Sequence, residues 1–471
     1  MSNQGKKKVL FTPPFPKPYK FKLGAIARLM VGAGSWIHTL YEKSYTMMLG
    51  EIKLPGIGYF IANDPDLIDR ILRKAPEDFP KHRFLEDMLR PLIGQSMFAT
   101  NGAVWEAQRK MVAPSYAHTQ SSRSFGMMQD ATLELCEAIG GRAKTGQERV
   151  SIDPFMTHIT ADIICRTMLS KPMTLEQSLD LFEAAAKYQS QSQCYLILRF
   201  HSVPGAGFWY NRAKKTAKRI HTIFKPDVEK RYNELKKNGF RLIDDPKDIL
   251  DSLLNARHPD TGEPFEVQDL LDQIALIFLA GHETSASALS WTLYLIASCP
   301  HLQTRLHSEI DAVFGDSDLM GLASLKDMHH LRNTFAESLR LYPPISFFMR
   351  EIARSMQIRN KEMHPGDIIT VSPWLIQRNE KYWPCPHSFD PDRFDDPEQK
   401  EAQKCAYMPF GKGPRICLGK GFAQQEAMIV LAHILRRFEI SMPEGEKAPE
   451  PINRLTTRPK KAIRLHFKPR R

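Results

Sequence analysis

One segment, Gln273–Ser298, limits the folds that are open to this chain. It reads QIALIFLAGHETSASALSWTLYLIAS, which is long and apolar enough to be mistaken for a membrane span. His282, Glu283 and Thr284 lie in its middle, however, where charge is expensive in lipid. The segment therefore predicts a long helix through the core of a mainly helical globular protein.

The centre of this helix carries an unusual group of residues. Gly281 stands in the helix interior, where glycine costs about 1 kcal/mol and usually marks a close approach or a local distortion. An acid followed by a hydroxyl, Glu283 and Thr284, suggests a proton path into a buried site. The letters HETSA also resemble the zinc-protease motif HExxH, but Ala286 replaces the second histidine, which excludes a zinc protease.

A second distinctive segment, FGKGPRICLG at residues 410–419, frames one cysteine with glycines and cations. Cys417 follows this loop and precedes a helical pattern from Lys420 to Arg437, a context that favours a thiolate over a buried thiol. The letters GKGPRI also begin like a dinucleotide-binding fingerprint. Ile416 takes the place of its third glycine and no strand pattern precedes the loop, so we discard that alternative.

Composition and charge exclude several other classes of protein. The seven cysteines include no CxxC pair, which argues against a disulfide framework or a cysteine-rich zinc site and fits a reducing compartment. The net charge of +12 is compatible with nucleic acid, an anionic membrane or an acidic protein partner. The basic residues gather at both ends, including Lys6–Lys8, and in residues 211–237 without interleaved aromatics. Solvated surfaces explain most of them, and no nucleic-acid partner is predicted.

Residues 1–24 are predicted to form an N-terminal tail, and length and composition leave one large or two unequal domains possible for residues 25–471. Prolines follow the basic start of the tail, so it is neither a signal peptide nor an anchor. Helical patterns dominate residues 66–345 and 417–438, and Ala25–Leu49 is also expected to be helical. Strand-like patterns fall at about 50–65, 350–375 and 455–468, so a small sheet should be assembled from distant segments.

Two further pairs of residues have a spacing that places them on one helix face. Glu337 and Arg340 stand three apart, which an ordinary surface ion pair would explain. Arg393 follows in a loop, and a buried Glu337 between two arginines would clamp helix to loop. Trp105 and Arg109 stand four apart, which alone indicates amphipathic packing.

Taken together, these residues in this order resemble the cytochrome P-450 superfamily of haem-thiolate monooxygenases. The resemblance runs from Trp105 to the C-terminus and rests on four motifs. Their residues here are Phe410, Gly413, Arg415, Cys417 and Gly419; Ala280, Gly281, Glu283 and Thr284; Glu337 and Arg340; and Arg393. The resemblance implies the cytochrome P-450 fold, a large helical domain with a long central helix plus a small β-rich region.

The resemblance also implies how haem b would be held. Cys417 would be the proximal thiolate on the iron and would favour cleavage of the O–O bond. A helix starting at Cys417 would aim its positive end at the sulfur. The other cofactor-binding residues would be Phe410, Gly411, Gly413 and Gly419 in the loop, and Trp105, Arg109, Arg350 and Arg415 at the haem propionates.

On the other face of the haem, Gly281 beside Ala280 would leave room for dioxygen, while Thr284 and Glu283 would supply hydrogen bonds and protons. His282 would either join this relay or simply pack. Family position makes residues 82–99, 189–209, 277–280, 345–349 and 455–457 the pocket walls, although each aromatic there could equally be core. The expected pocket residues are Phe84, Met88, Met97, Phe98, Ile277, Phe347, Phe348 and Thr456, and they favour an apolar substrate such as a fatty acid, terpenoid, steroid or alkylaromatic.

The resemblance is to the soluble, cytoplasmic bacterial members, which implies a monomer without membrane insertion. Electrons would come from NAD(P)H through an acidic ferredoxin and its reductase, and Lys412 and Lys420 beside the cysteine would suit that docking. Two alternatives stay open. A haem-thiolate peroxygenase or isomerase would need no electron supply, and a non-catalytic haem sensor would not need Glu283 and Thr284.

Overall fold

Helices make up most of the protein in a computed structural model that describes residues 10–21, 23–32, 34–54, 56–117, 122–144, 149–200 and 204–470. Lys6–Lys8 and the first nine residues of the predicted tail lie outside these ranges. The α-helices are α1 Ala25–Gly32, α2 Glu42–Thr46, α3 Pro65–Asp69, α4 Arg83–Ile93, α5 Gly102–Ala117, α6 Ser122–Lys144, α7 Asp153–Leu169, α8 Leu175–Phe200, α9 Ala206–Lys237, α10 Ile249–Asn255, α11 Val267–Ala297, α12 Pro300–Phe314, α13 His329–Leu341, α14 Pro373–Ile376, α15 Lys400–Ala406 and α16 Lys420–Arg437.

Helix α11 is the long central helix that the apolar segment predicted. Glu266 and Asp269 cap its first turn reciprocally, each side chain accepting from the other's backbone N–H. From Leu270 to Phe278 every side chain is buried, because α4, α7, α9, α13 and α16 pack around the helix. Within the described ranges, no helix has the length and hydropathy to cross a bilayer.

Short strands from both halves of the chain form small sheets beside the helices. They are β1 Leu49–Leu54, β2 Ile57–Ala62, β3 Val150–Ser151, β4 Phe348–Glu351, β5 Met356–Ile358, β6 Lys361–Met363, β7 Ile368–Val371, β8 Phe438–Ser441, β9 Pro451–Asn453, β10 Thr457–Pro459 and β11 Arg464–Pro469. The largest sheet has the order β1-β2-β7-β4, in which β2 and β7 are parallel and the other pairs antiparallel. Strands β3, β11 and β8 form a second, antiparallel sheet.

Two expectations about helix limits are wrong. The segment Ala25–Leu49 is not one helix, because a break at residues 34–35, where Ser35 is fully extended, separates α1 from a short 3-10 turn and from α2. Helix α16 begins at Lys420 rather than at Cys417. The N–H of Cys417 donates to Phe410 O at 3.0 Å, so the cysteine belongs to the loop that precedes the helix.

The described part of the predicted tail lies along the helical body. The N–H of Phe389 donates to Phe11 O at 2.8 Å, and Tyr342 Oη donates to Pro14 O at 2.6 Å. The ring of Phe15 stacks on His387 with 4.0 Å between the ring centroids. These contacts join residues 11–15 to segments more than three hundred residues downstream.

Candidate active site

The loop that carries Cys417 owes its shape to two glycines. Gly411 and Gly413 have φ values of +75° and +74°, a left-handed backbone that favours glycine. A Cβ on Gly413 would also lie 2.0 Å from Leu72 O, so no side chain fits at that position. The loop is thereby pressed against the helical turn that contains Leu72, and this contact fixes the backbone around the cysteine.

Cys417 combines solvent access with close packing. It is an exposed residue, yet burial raises the pKa of its thiol, so the protein surrounds it closely even though solvent reaches it. The backbone N–H of Gly419 and the guanidinium of Arg109 lower the same pKa and favour the thiolate. Arg109 is held in place by its bond from Nη2 to Ile416 O at 2.8 Å.

Four cations converge beside the cysteine, namely Lys81, Arg109, Arg350 and Arg415. Burial and the charges of the three arginines lower the pKa of Lys81. The pKa of Arg415 falls to about 10 for the same reasons, with Arg350 and Arg109 as the neighbouring charges. Because like charges in a partly buried place repel one another, this arrangement is favourable only when anionic groups lie between them.

The two terminal nitrogens of the Arg415 guanidinium differ in their contacts. Its guanidinium lies 4.1 Å from the centroid of the Trp105 ring, and Nη2 donates to Thr100 O at 3.1 Å and to Asn101 Oδ1 at 3.0 Å. Its Nη1 is buried and has no hydrogen-bond partner in the described part of the chain. A buried N–H donor without an acceptor is energetically costly, so an acceptor is expected beside Arg415 Nη1.

These features fit a haem group. Cys417 would ligate the iron as a thiolate, and the unpartnered Arg415 Nη1 together with Lys81, Arg109 and Arg350 would neutralise two propionates. When bound, the haem would supply oxygen activation. Lys81 belongs to no sequence motif, so its proximity to the three arginines can be recognised only from the structure.

On α11, Thr284 and Glu283 make different contacts. Thr284 Oγ1 donates to Ala280 O at 2.6 Å, within its own helix. Glu283 Oε1 accepts a bond from Thr456 Oγ1 at 2.6 Å, and Oε2 accepts one from Gln189 Nε2. The space that Gly281 leaves is next to Ile164 of α7, which would lie 3.2 Å from a Cβ, so close helix packing explains this glycine.

His282 is packed. Its Nδ1 lies 2.8 Å from Phe278 O, its ring stacks on Phe278, and burial lowers its pKa, so the neutral ring donates from Nδ1. Its Nε2 is buried and has no partner in the described ranges. The alternative in which His282 merely packs is therefore the one that this geometry favours.

The three residues of the expected clamp meet in the core. Glu337 Oε2 accepts from Arg340 Nε at 2.7 Å, and Glu337 Oε1 accepts from Arg393 Nε at 3.0 Å. Glu337 and Arg340 are completely buried, and Arg393 is 5% exposed. Arg340 also donates to the backbone oxygens of Gln377 and Pro386, both at 2.7 Å, so helix α13 is tied to the loop that leads to the cysteine.

The sequence profile of the cytochrome P450 family matches residues 13–467. The chain belongs to this family. As a cytochrome P450 it is an oxidoreductase of the monooxygenase class, and the family implies a haem cofactor. Its fold agrees, because the solved structure of the cytochrome P450DA haem domain superposes with a TM-score of 0.79 over 98% of this chain and 99% of that one, at 22% sequence identity.

Relatives of this cytochrome P450 come from distant organisms. Cytochrome P450 4V2 of Homo sapiens is 27% identical over 83% of the chain and 76% of its own length. Cyclooctatin synthase of Streptomyces melanosporofaciens is 27% identical over 88% of both chains. Membership of the superfamily is thus confirmed, whereas the similarity extends to mammalian as well as bacterial proteins and does not establish the soluble bacterial type.

The expected pocket residues of this P450 do not all lie together. Met88 and Ile277 are buried in the main core, and Met97, Phe347 and Leu85 pack against it. Phe84 lies beside His82, with 4.6 Å between ring centroids. Met88 also lines a small recess with Leu89, Tyr188, Gln189, Ser192, Gln193 and Leu455. Residues 201–203 of the predicted pocket wall lie outside the described residues.

Three expected pocket residues have other contacts. The ring of Phe98 lies 3.6 Å from Lys81 Nζ and so borders the cation set. Phe348 packs beside the cysteine loop, since its ring would lie 3.8 Å from a Cβ on Gly411. Thr456 is bonded to Glu283. Phe347 precedes β4, which begins at Phe348, and the two rings pack against different hydrophobic clusters.

Proposed function

We propose that this cytochrome P450 hydroxylates an apolar organic molecule, with electrons delivered by an acidic ferredoxin and its reductase. The overall reaction consumes the substrate, dioxygen, two electrons and two protons, and yields the hydroxylated product and water. The observation that carries the proposal is the set formed by Cys417, the four cations and the unpartnered Arg415 Nη1, which suits haem b held by a thiolate.

In this proposal each part of the site has a separate task. Cys417 binds the iron while Gly419 and Arg109 stabilise its thiolate. Glu283 and Thr284 deliver protons and hydrogen bonds for oxygen activation. Apolar side chains from α4, α8 and α11, among them Met88 and Ile277, exclude water and favour a fatty acid, terpenoid, steroid or alkylaromatic substrate. We place the protein with the soluble cytoplasmic members of the family.

The decisive experiment follows the product under two oxidant supplies. The purified protein should give a thiolate-type carbon-monoxide spectrum, and apolar compounds should be screened for a shift of the haem spin state. We expect hydroxylated product with NAD(P)H, ferredoxin and reductase, and none without electrons. Product from hydrogen peroxide alone would indicate a peroxygenase, and a ligand that binds without turnover would indicate a sensor.

The docking proposal predicts that salt slows electron delivery. Lys404 and Lys420 are exposed near the cysteine loop. Lys412 Nζ instead donates hydrogen bonds to Lys404 O at 2.9 Å and to Cys405 O at 2.7 Å. Raising ionic strength from about 0.01 M to about 0.1 M shortens the Debye length from about 30 Å to about 10 Å. We expect the second-order rate constant for ferredoxin-driven reduction to fall about 10-fold in stopped-flow measurements.

A pair of charge reversals separates docking from a general effect of charge. Lys420→Glu should weaken the salt dependence and slow the reduction, whereas Lys214→Glu on α9 makes the same charge change on an exposed lysine far from the cysteine loop in sequence. A reduction rate that is indifferent to salt, or equal losses in the two variants, would contradict this docking site.

A further inference from the structure

The carboxylate of Glu283 is held at both oxygens by side chains from other parts of the fold. Thr456 Oγ1 donates to Oε1 at 2.6 Å, and Gln189 Nε2 donates to Oε2. Gln189 lies on α8, Glu283 on α11, and Thr456 immediately before β10. All three side chains are buried, with exposed fractions of 8%, 6% and 3%. Neither Gln189 nor Thr456 belongs to the motifs that identified the family.

Other polar and charged groups near Glu283 do not set its position. Arg458 on β10 is the nearest cation, with Nη1 4.0 Å from Oε1, at the limit of an ion pair. His282 interacts with Glu283 through charge, but its Nδ1 is bonded to Phe278 O. Thr284 Oγ1 is bonded to Ala280 O. The direct hydrogen bonds to the carboxylate are therefore those from Gln189 and Thr456.

One of the two donors lies at the wall of the recess beside α4. Gln189 lines that recess together with Met88 and Leu455, and Leu455 precedes the other donor, Thr456, in the chain. A substitution among the residues that line this recess can therefore move the Glu283 carboxylate through a single side chain. Hydrogen bonds to an ionised carboxylate favour its charged form, which is costly to bury without them.

We propose that Gln189 and Thr456 are positioning residues that hold the Glu283 side chain in place for proton delivery. The direct contact stands on the geometry alone, and its part in catalysis rests on the proposed function. During turnover, two electrons and two protons that reach dioxygen without oxidising substrate leave as hydrogen peroxide. A displaced Glu283 should therefore increase the share of electrons that is lost as peroxide.

Matched substitutions test the contact without using activity. Thr456→Val removes the hydroxyl at nearly constant volume, and Thr456→Ser keeps it. Gln189→Leu removes the amide, and Gln193→Leu makes the same change one helical turn away in the same recess. The infrared band of the Glu283 carboxylate, assigned by its loss in Glu283→Gln, is recorded at neutral pH. We expect the band to shift in frequency in Thr456→Val and Gln189→Leu, because each variant removes one hydrogen bond to the carboxylate, and to keep its position in the two controls.

A second measurement, peroxide released per NAD(P)H oxidised in air, tests the consequence for the reaction. We expect the peroxide share to rise about threefold or more in the two disruptive variants while the thiolate-type carbon-monoxide band is kept. An infrared band that does not shift would overturn the proposed contact, and a shifted band with an unchanged peroxide share would overturn its role in proton delivery. Absence of the thiolate-type band from the unmodified protein would instead refute the proposed function, while the infrared band of Glu283 would still report the contact.

Discussion

Replacing Cys417 by serine should abolish the thiolate-type absorption of the carbon-monoxide complex and lower the hydroxylation rate roughly 10³-fold or more. A thousandfold loss corresponds to about 4 kcal/mol of barrier. The physical reason is that the thiolate donates electron density to the iron and promotes O–O cleavage, which a serine hydroxyl does to a much smaller degree. The measurement is a reduced carbon-monoxide spectrum, followed by product formation under saturating electron supply.

The chain offers two matched controls for this substitution. Cys385 is exposed and Cys405 is half-buried, and both lie within about forty residues of Cys417 in sequence. Neither cysteine stands in the glycine-framed loop of residues 410–419, so both are expected to be ordinary thiols. Cys385→Ser and Cys405→Ser should therefore keep the spectrum and the activity. A thiolate-type spectrum that survives in Cys417→Ser would show that the central assignment is wrong.

The parts of the fold that the sequence predicted depend on local spacing. The apolar segment Gln273–Ser298 was sufficient to predict α11, Val267–Ala297, because a long apolar helix with a polar centre has few alternatives. The buried cluster of Glu337, Arg340 and Arg393 could also be predicted from the sequence, since Glu337 and Arg340 share a helical turn and Arg393 belongs to a recognisable segment. The predicted sheet regions are occupied by β1, β2, β4 and β7, although the parallel pairing of β2 with β7 is invisible in the sequence.

The missed residues depend on long-range packing. Lys81 reaches the cation set because its backbone pairs with Arg350, far away in sequence, in an isolated bridge. Gln189 contacts Glu283 from another helix, and no spacing rule links the two. Phe347 and Phe348 pack against different hydrophobic clusters, and their adjacent positions in the sequence do not show this. Hydrophobicity identified the pocket segments but not the direction of each side chain.

The second large effect is expected at the buried Glu337 cluster. Glu337→Gln keeps the shape of the side chain but removes the charge that two buried guanidiniums share. Breaking a buried ion pair by removing one partner costs about 3–5 kcal/mol, because the remaining charge is left uncompensated. Since folded proteins are stable by only about 5–15 kcal/mol, we expect a large loss of soluble, haem-loaded protein and a clearly lower denaturation midpoint.

An exposed ion pair in the adjoining segment provides the control. Arg305 and Asp392 are 2.9 Å apart, with side chains 43% and 39% exposed, and Asp392 precedes Arg393. Asp392→Asn should change the free energy of unfolding by about 1 kcal/mol or less, because exposed pairs are screened by solvent. Arg393→Lys keeps the charge but loses the planar fork, so it should be destabilised by less than Glu337→Gln and still yield folded protein for measurement. Equal effects of Glu337→Gln and Asp392→Asn in urea denaturation would contradict the clamp, because burial is the physical difference between the two acids.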